Sequence, residues 1–267
     1  MKHYYKLTCF FFRYLKWITL GMILLAAAAE LGWLWYSAQQ PEAAYATYQL
    51  MVYNPGRWFH VSKIFSIVFT LFCVAISLWI LASFHGKRHP LYTLLTLPGP
   101  RAALPLAMFT AVLLAFALFL LAQCGILFAG YHLWAHQTPI AAEAYLSQIQ
   151  STDPTVYEAL HSANVLPFVN NDLYLAFAHS PVGALVLPST PLYALYPLGL
   201  CGLFAASNAF DFLMSNRISV ATLYITFTLT DNSALSDYTP AFGALFLVIA
   251  VCLMAYTVYR ARRSPLT

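Results

Sequence analysis

The chain has 267 residues, of which 61% are hydrophobic and 8% charged, and its net charge is +4. An ordinary soluble domain carries about 25% charged residues, so most of this surface is built to meet lipid rather than water. That composition argues against a soluble enzyme or a soluble binding domain.

A helix crossing a hydrocarbon core of about 30 Å needs about 20 mostly apolar residues, because no backbone group can stay unpaired in lipid. Leu15 to Tyr36 is the first such run, preceded by Lys2, Lys6, Arg13 and Lys16. The basic start and Ala26 to Ala29 resemble a cleavable leader, but apolar character resumes from Leu31 to Tyr36, which predicts an uncleaved span. The second span is predicted over 61–84 and the third over 106–134. Leu192 to Met214 reads as a fourth, with Gly199, Gly202, Ala205 and Ala206 allowing close helix approach. Ile218 to Thr230 is short for a span, either compressed or re-entrant, and the charge pattern favours a fifth crossing. The last span covers 240–259, with its clearest apolar run from Phe242 to Tyr259.

Six spans with the N-terminus inside place Lys2, Lys6, Arg13, Lys16, Lys87, Arg88, Arg101, Arg217, Arg260, Arg262 and Arg263 on the cytoplasmic side. Glu42, Glu143, Asp153, Glu158, Asp172, Asp231 and Asp237 then fall outside, with Arg57 and Lys63 as basic company. This is the positive-inside pattern, and an odd number of spans would break it. Trp33, Trp35, Tyr36, Trp58, Tyr131, Trp134 and Tyr238 gather near the expected outer interface. The fold class expected is an all-α membrane protein, a single bundle of about six helices with a small outer cap over 136–190 between the third and fourth. Thr138–Pro139 and Asp153–Pro154 each predict the start of a short helix in that cap. Pro181 and Pro188 oppose a straight span over Asp172 to Leu187.

The cytoplasmic loop 85–105 joins the second and third spans. Pro90 opens it, Leu91, Leu94, Leu95 and Leu97 supply an apolar stripe, and Pro98, Gly99 and Pro100 end it. That pattern describes a short amphipathic helix along the membrane surface, either a docking lever for a cytoplasmic partner or a plain interfacial connector. The string YTLLTLPGPR, Tyr92 to Arg101, resembles the Leu-Leu-x-Leu-Pro-x-x-Arg loop of bacterial exporter permeases of the type-two ATP-binding-cassette (ABC) class. Asn171 to Thr190 is similar to the segment before the fourth span of some of these permeases. Pro100 replaces the small polar residue usual before the Arg, and Ala107 and Met108 replace a Lys that often follows, departures that bear on the docking angle.

The resemblance implies the transmembrane subunit of an exporter in the bacterial cytoplasmic membrane. Pro90, Tyr92, Leu94, Leu95, Leu97, Pro98 and Arg101 would contact a separate ATP-binding subunit, which would hold ATP and Mg. A second permease copy or homologue and membrane lipid are the other partners implied, with no nucleic acid. No Walker A loop, Gly-x-Ser-x-Gly or His-Glu-x-x-His is present, so neither ATP binding nor catalysis is expected of this chain. Cys9, Cys73, Cys124, Cys201 and Cys252 lie singly in or beside apolar segments, which points to neither disulfides nor zinc. No histidine lies deep in a predicted span, as haem would require, and His132 with His136 form either a metal pair or a solvated helix end. A redox subunit and a non-transporting scaffold are the alternatives to an exporter.

Ionisable groups inside spans carry a functional expectation because they are costly there. Glu30 and Lys63 fall at similar depth in the first two spans, where a pair would line a path or, as favoured here, join two helices. Asp211, one turn after Asn208, is expected to face a subunit interface or reach Arg217.

Overall fold

The computed structural model describes residues 2–38, 62–85, 100–155, 158, 195–214, 218–219, 222 and 239–263. The protein is all-α, with no strand among the described residues. Five long helices follow one another: α1 (Lys2–Ala38), α2 (Ile64–His85), α3 (Ala103–Thr152), α4 (Leu195–Met214) and α5 (Thr239–Arg263). Four of them contain stretches long and apolar enough to cross a membrane, namely His3–Ser37, Ile64–Ala82, Ala103–Trp134 and Ala241–Arg263. Leu198–Met214 of α4 is apolar but shorter. The expected fifth span, 218–230, lies outside the described residues except for Ile218, Ser219 and Thr222, which are helical.

Local sequence explains where these helices begin. Pro105, Pro197 and Pro240 each fall in the first turn of α3, α4 or α5, where the missing N–H is one that a helix leaves unbonded anyway. The turn into α3 closes through the Pro100 and Arg101 carbonyls, which accept from the Ala103 and Leu104 N–H groups at 2.8 and 3.2 Å. Before α2, Lys63 has φ of 54°, a left-handed backbone that no continuous helix tolerates. Helix α2 therefore starts at Ile64, later than the expected 61. Within the apolar helices, hydroxyls bond their own backbone one turn back, as Thr19 does to Leu15, Thr70 to Ser66, Ser207 to Leu203 and Thr257 to Leu253. Each polar group is thereby satisfied without water.

Helix α3 corrects one expectation. Its 50 residues run through Thr138–Pro139 without a break, so the separate cap helix expected there is an extension of the third span. A proline inside a helix forfeits a backbone bond, and the strong helix formers Ala141, Ala142, Glu143 and Ala144 carry the helix onward. The second expected start stands: Asp153 Oδ1 accepts from the Thr155 N–H at 3.2 Å and its hydroxyl at 2.6 Å, with Pro154 at the first helical position. Most of the expected cap, from residue 159 to 190, lies outside the described residues.

The chain forms two compact units. The first takes in Met1–Ile23, Ser66–Leu121 and Leu185–Thr267. Its centre is α4, every residue of which from Gly202 to Phe212 is buried. A helix covered on all sides is an interior helix, and α4 meets each of the other four. Phe212 lies edge-on to Phe11 of α1 at 5.4 Å, and Phe204 edge-on to Phe116 of α3 at 5.4 Å. Asn208 Oδ1 accepts from the Ser77 hydroxyl of α2 at 3.4 Å. Phe72 of α2 stacks on Phe119 of α3 with ring centroids 4.7 Å apart. Such pairs are worth about 0.5–1.5 kcal/mol each.

Helices α4 and α5 approach most closely at two glycines. A Cβ added to Gly199 would overlap the Gly243 carbonyl oxygen, and one added to Gly243 would overlap the Leu195–Tyr196 backbone. Further along, the space beside Gly202 is filled by Ala250 and Leu247 at ordinary contact distance. Where lipid competes with apolar side chains for the same helix face, close packing of this kind replaces the hydrophobic effect as the source of association. Other positions on α5 are bare and apolar: Val248 is 59% exposed and Val251 66%.

The second unit contains Leu24–Phe65 and Ala122–Ala184. On α1 its buried positions are Ala26, Glu30, Leu34 and Ser37, and on α3 they include Gln123, Ile126, Leu127 and Trp134. Both sets follow helical spacing, one face per helix.

Candidate functional site

Glu30 is the most buried carboxylate in the described residues, at 3% exposure, and Gln123 of α3 is covered even more fully, at 1%. The surrounding α1 sequence, Leu24 to Ala29 before it and Leu31 to Leu34 after it, offers no other ionisable side chain. With its amide turned so that nitrogen faces the acid, Gln123 donates to Glu30 Oε1 at 3.2 Å and Oε2 at 3.0 Å. The amide is the better orientation on hydrogen-bond grounds, since otherwise two oxygens would face each other. Gln123, rather than the expected Lys63, is thus the residue seated on the carboxylate. Lys63 stands exposed just ahead of α2 instead of inside a span. The left-handed backbone at Lys63 places it outside α2, which begins at Ile64.

The chemistry of this pair is that of a latch. A primary amide can donate to a carboxylate, or accept from a carboxylic acid, so it satisfies the group in either state. Two side chains by themselves fall short of a metal-ligand set. Among the described residues no group of three or more His, Cys, Asp or Glu comes together. His132 and His136 are both exposed on α3, and Phe128 packs edge-on to the His132 ring at 4.6 Å. The five cysteines are free thiols, Cys73 buried and Cys9 and Cys252 exposed.

Asp211 has a local task that its sequence position did not announce, while Arg217, its expected partner, lies outside the described residues. Asp211 Oδ1 accepts from the Ile218 N–H at 2.9 Å and its Oδ2 from the Ser219 N–H at 2.7 Å. The carboxylate therefore caps the start of the segment after α4, satisfying N–H groups that a new helix leaves open. Asn208, one turn earlier, gives its amide N–H to the Phe204 carbonyl at 2.9 Å. With Ser207 beside them, the two form a polar seam inside a mostly apolar helix.

Of the loop residues singled out in the sequence, Pro90, Tyr92, Leu94, Leu95, Leu97 and Pro98 lie outside the described residues. Arg101 is half-buried in the turn that opens α3. Polar contacts that were not anticipated include Gln123 with Glu30, Asn208 with Ser77, and the Tyr4 hydroxyl with that of Thr110, which joins α1 to α3 in the first unit. A signal for Gln123 existed, as it is the only side-chain amide in the apolar run from Leu106 to Trp134. No protein-family model, curated protein or solved structure matches this chain.

Proposed function

We propose that this chain is the transmembrane permease subunit of an ABC exporter, residing in the cytoplasmic membrane with both termini inside. The observation that carries the reading is the string Tyr92 to Arg101, which resembles the coupling loop of such permeases and ends at the first turn of the long apolar helix α3. Movement of that loop would pass straight into α3, and from α3 through the Phe116–Phe204 contact to the interior helix α4. ATP and Mg belong to a separate cytoplasmic subunit, and this chain contributes a bistable helical body whose populations shift as that subunit closes. A second permease copy or homologue would complete the path, and no residue here performs covalent chemistry.

Purification from the native host in mild detergent tests this. An ATP-hydrolysing subunit is expected to accompany the parent protein and to be released by Leu94→Glu with Leu95→Glu. Absence of any ATPase, under conditions that keep other membrane complexes intact, overturns the proposal.

A further inference from the structure

Helix α1 is 37 residues long, about 55 Å at 1.5 Å per residue, against a hydrocarbon core of about 30 Å. Exposed aromatic rings run from Tyr4 through Tyr5, Phe10 and Tyr14 to Trp17, which is 66% exposed, and resume at Trp33, Trp35 and Tyr36, with no aromatic residue between Trp17 and Trp33. Trp17 and Tyr36 are separated by about 29 Å along the axis, which matches the thickness between the two interfaces where such rings settle. The residues before Trp17 therefore project into the headgroup layer and beyond.

Arg13 and Lys16 are both exposed there, within about 6 Å of Trp17 along the axis. Three residues apart, they share one face with Cβ atoms about 5–6 Å from each other, a like-charge arrangement that an anion between them relieves. The Lys16 ammonium lies 5.1 Å from the Trp17 ring centroid. No acidic residue precedes Glu30 in the sequence, and among the described residues no carboxylate pairs with Arg13 or Lys16. The opposite face, Leu7, Phe11 and Leu15, is the buried one, so the two cations point away from the protein's own core.

We propose that Arg13 and Lys16, beside Trp17 on the exposed face of α1, bind the phosphate of an anionic phospholipid headgroup. The guanidinium offers a planar pair of donors to phosphate oxygens, the ammonium a point charge, and the indole fixes the depth. This inference rests on the membrane-spanning reading of α1 and is independent of the exporter proposal.

The test uses full-length protein reconstituted in phosphatidylcholine bilayers containing trace spin-labelled phosphatidylglycerol or spin-labelled phosphatidylcholine. At low salt the parent is expected to hold the anionic label in preference to the zwitterionic one. Arg13→Gln with Lys16→Gln should lower that preference, by up to about fivefold per charge removed. Lys2→Gln with Lys6→Gln makes the same change in net charge about 16 Å or more from Trp17 and should leave the preference near that of the parent. Arg13→Lys with Lys16→Arg should also retain it. A parent without preference, an Arg13/Lys16 variant that keeps it, or equal losses in the two glutamine variants overturns the proposal.

Discussion

Removing one partner of the Glu30–Gln123 latch should cost more than removing both. Gln123→Leu leaves a carboxylate 3% exposed without its two amide contacts of 3.2 and 3.0 Å, and an orphaned buried polar group costs about 1–3 kcal/mol. Glu30→Leu strands the Gln123 amide and should cost a similar amount. In the double variant Glu30→Leu/Gln123→Leu no buried polar group remains, so its stability should lie closer to the parent than either single change. The coupling between the two sites should then exceed the larger single cost, so at least about 1 kcal/mol, at the upper end of interhelical hydrogen bonds in membrane proteins. Glu30→Gln, which keeps the shape and one hydrogen bond, should stay within about 1 kcal/mol of the parent. The assay is reversible unfolding in mixed micelles by rising mole fraction of denaturing detergent, followed by helical circular dichroism. Effects that simply add, to within about 0.5 kcal/mol, would refute the pairing.

Glycine substitutions should divide sharply by position. Gly199→Ala and Gly243→Ala place a methyl where the partner backbone already lies, so each should lose at least about 1–3 kcal/mol in the same unfolding assay. Gly32→Ala and Gly125→Ala meet nothing within 4 Å and should instead gain about 0.5–1 kcal/mol from helix propensity. Asp211→Ala removes the acceptor for the Ile218 and Ser219 N–H groups, and hydrogen–deuterium exchange should speed up locally at those amides; unchanged exchange would deny the cap. Phe72→Ala deletes a fully buried ring stacked on Phe119, and a loss of about 3–5 kcal/mol is expected.

Much of the fold is legible in the sequence because hydrocarbon imposes a simple rule: a run of about 20 apolar residues without charge is a helix. The first, second, third and last predicted spans each overlap a long apolar helix, α1, α2, α3 and α5, though α1 starts earlier and α3 ends later than predicted. Small residues in the fourth segment correctly announced close packing, and the structure supplies the partner that no local pattern could name, Gly243 of α5. Helix ends were less legible. Lys63 breaks α2 through a backbone angle, and α3 passes through Pro139, because one lost hydrogen bond did not outweigh the helix formers that follow. Side-chain pairing was least legible of all. Coulomb's law singles out opposite charges, which favoured Lys63 for Glu30, whereas the geometry of two packed helix faces brings a neutral amide to the carboxylate. Asp211 likewise serves backbone N–H groups a few residues along its own chain, a local role that charge counting does not reveal.

The central proposal is that the chain threads the bilayer so that residues 85–105 and both termini share the cytoplasmic face, where an ATP-binding subunit would dock. In a background with all five cysteines replaced, single cysteines at Leu94, Thr267 and Glu143 would be exposed to a membrane-impermeant thiol reagent on intact cells and again after lysis. The account predicts that Glu143→Cys is labelled in intact cells, while Leu94→Cys and Thr267→Cys react only once the membrane is opened. Labelling of Leu94→Cys from outside would contradict it, because no cytoplasmic subunit could then reach that loop.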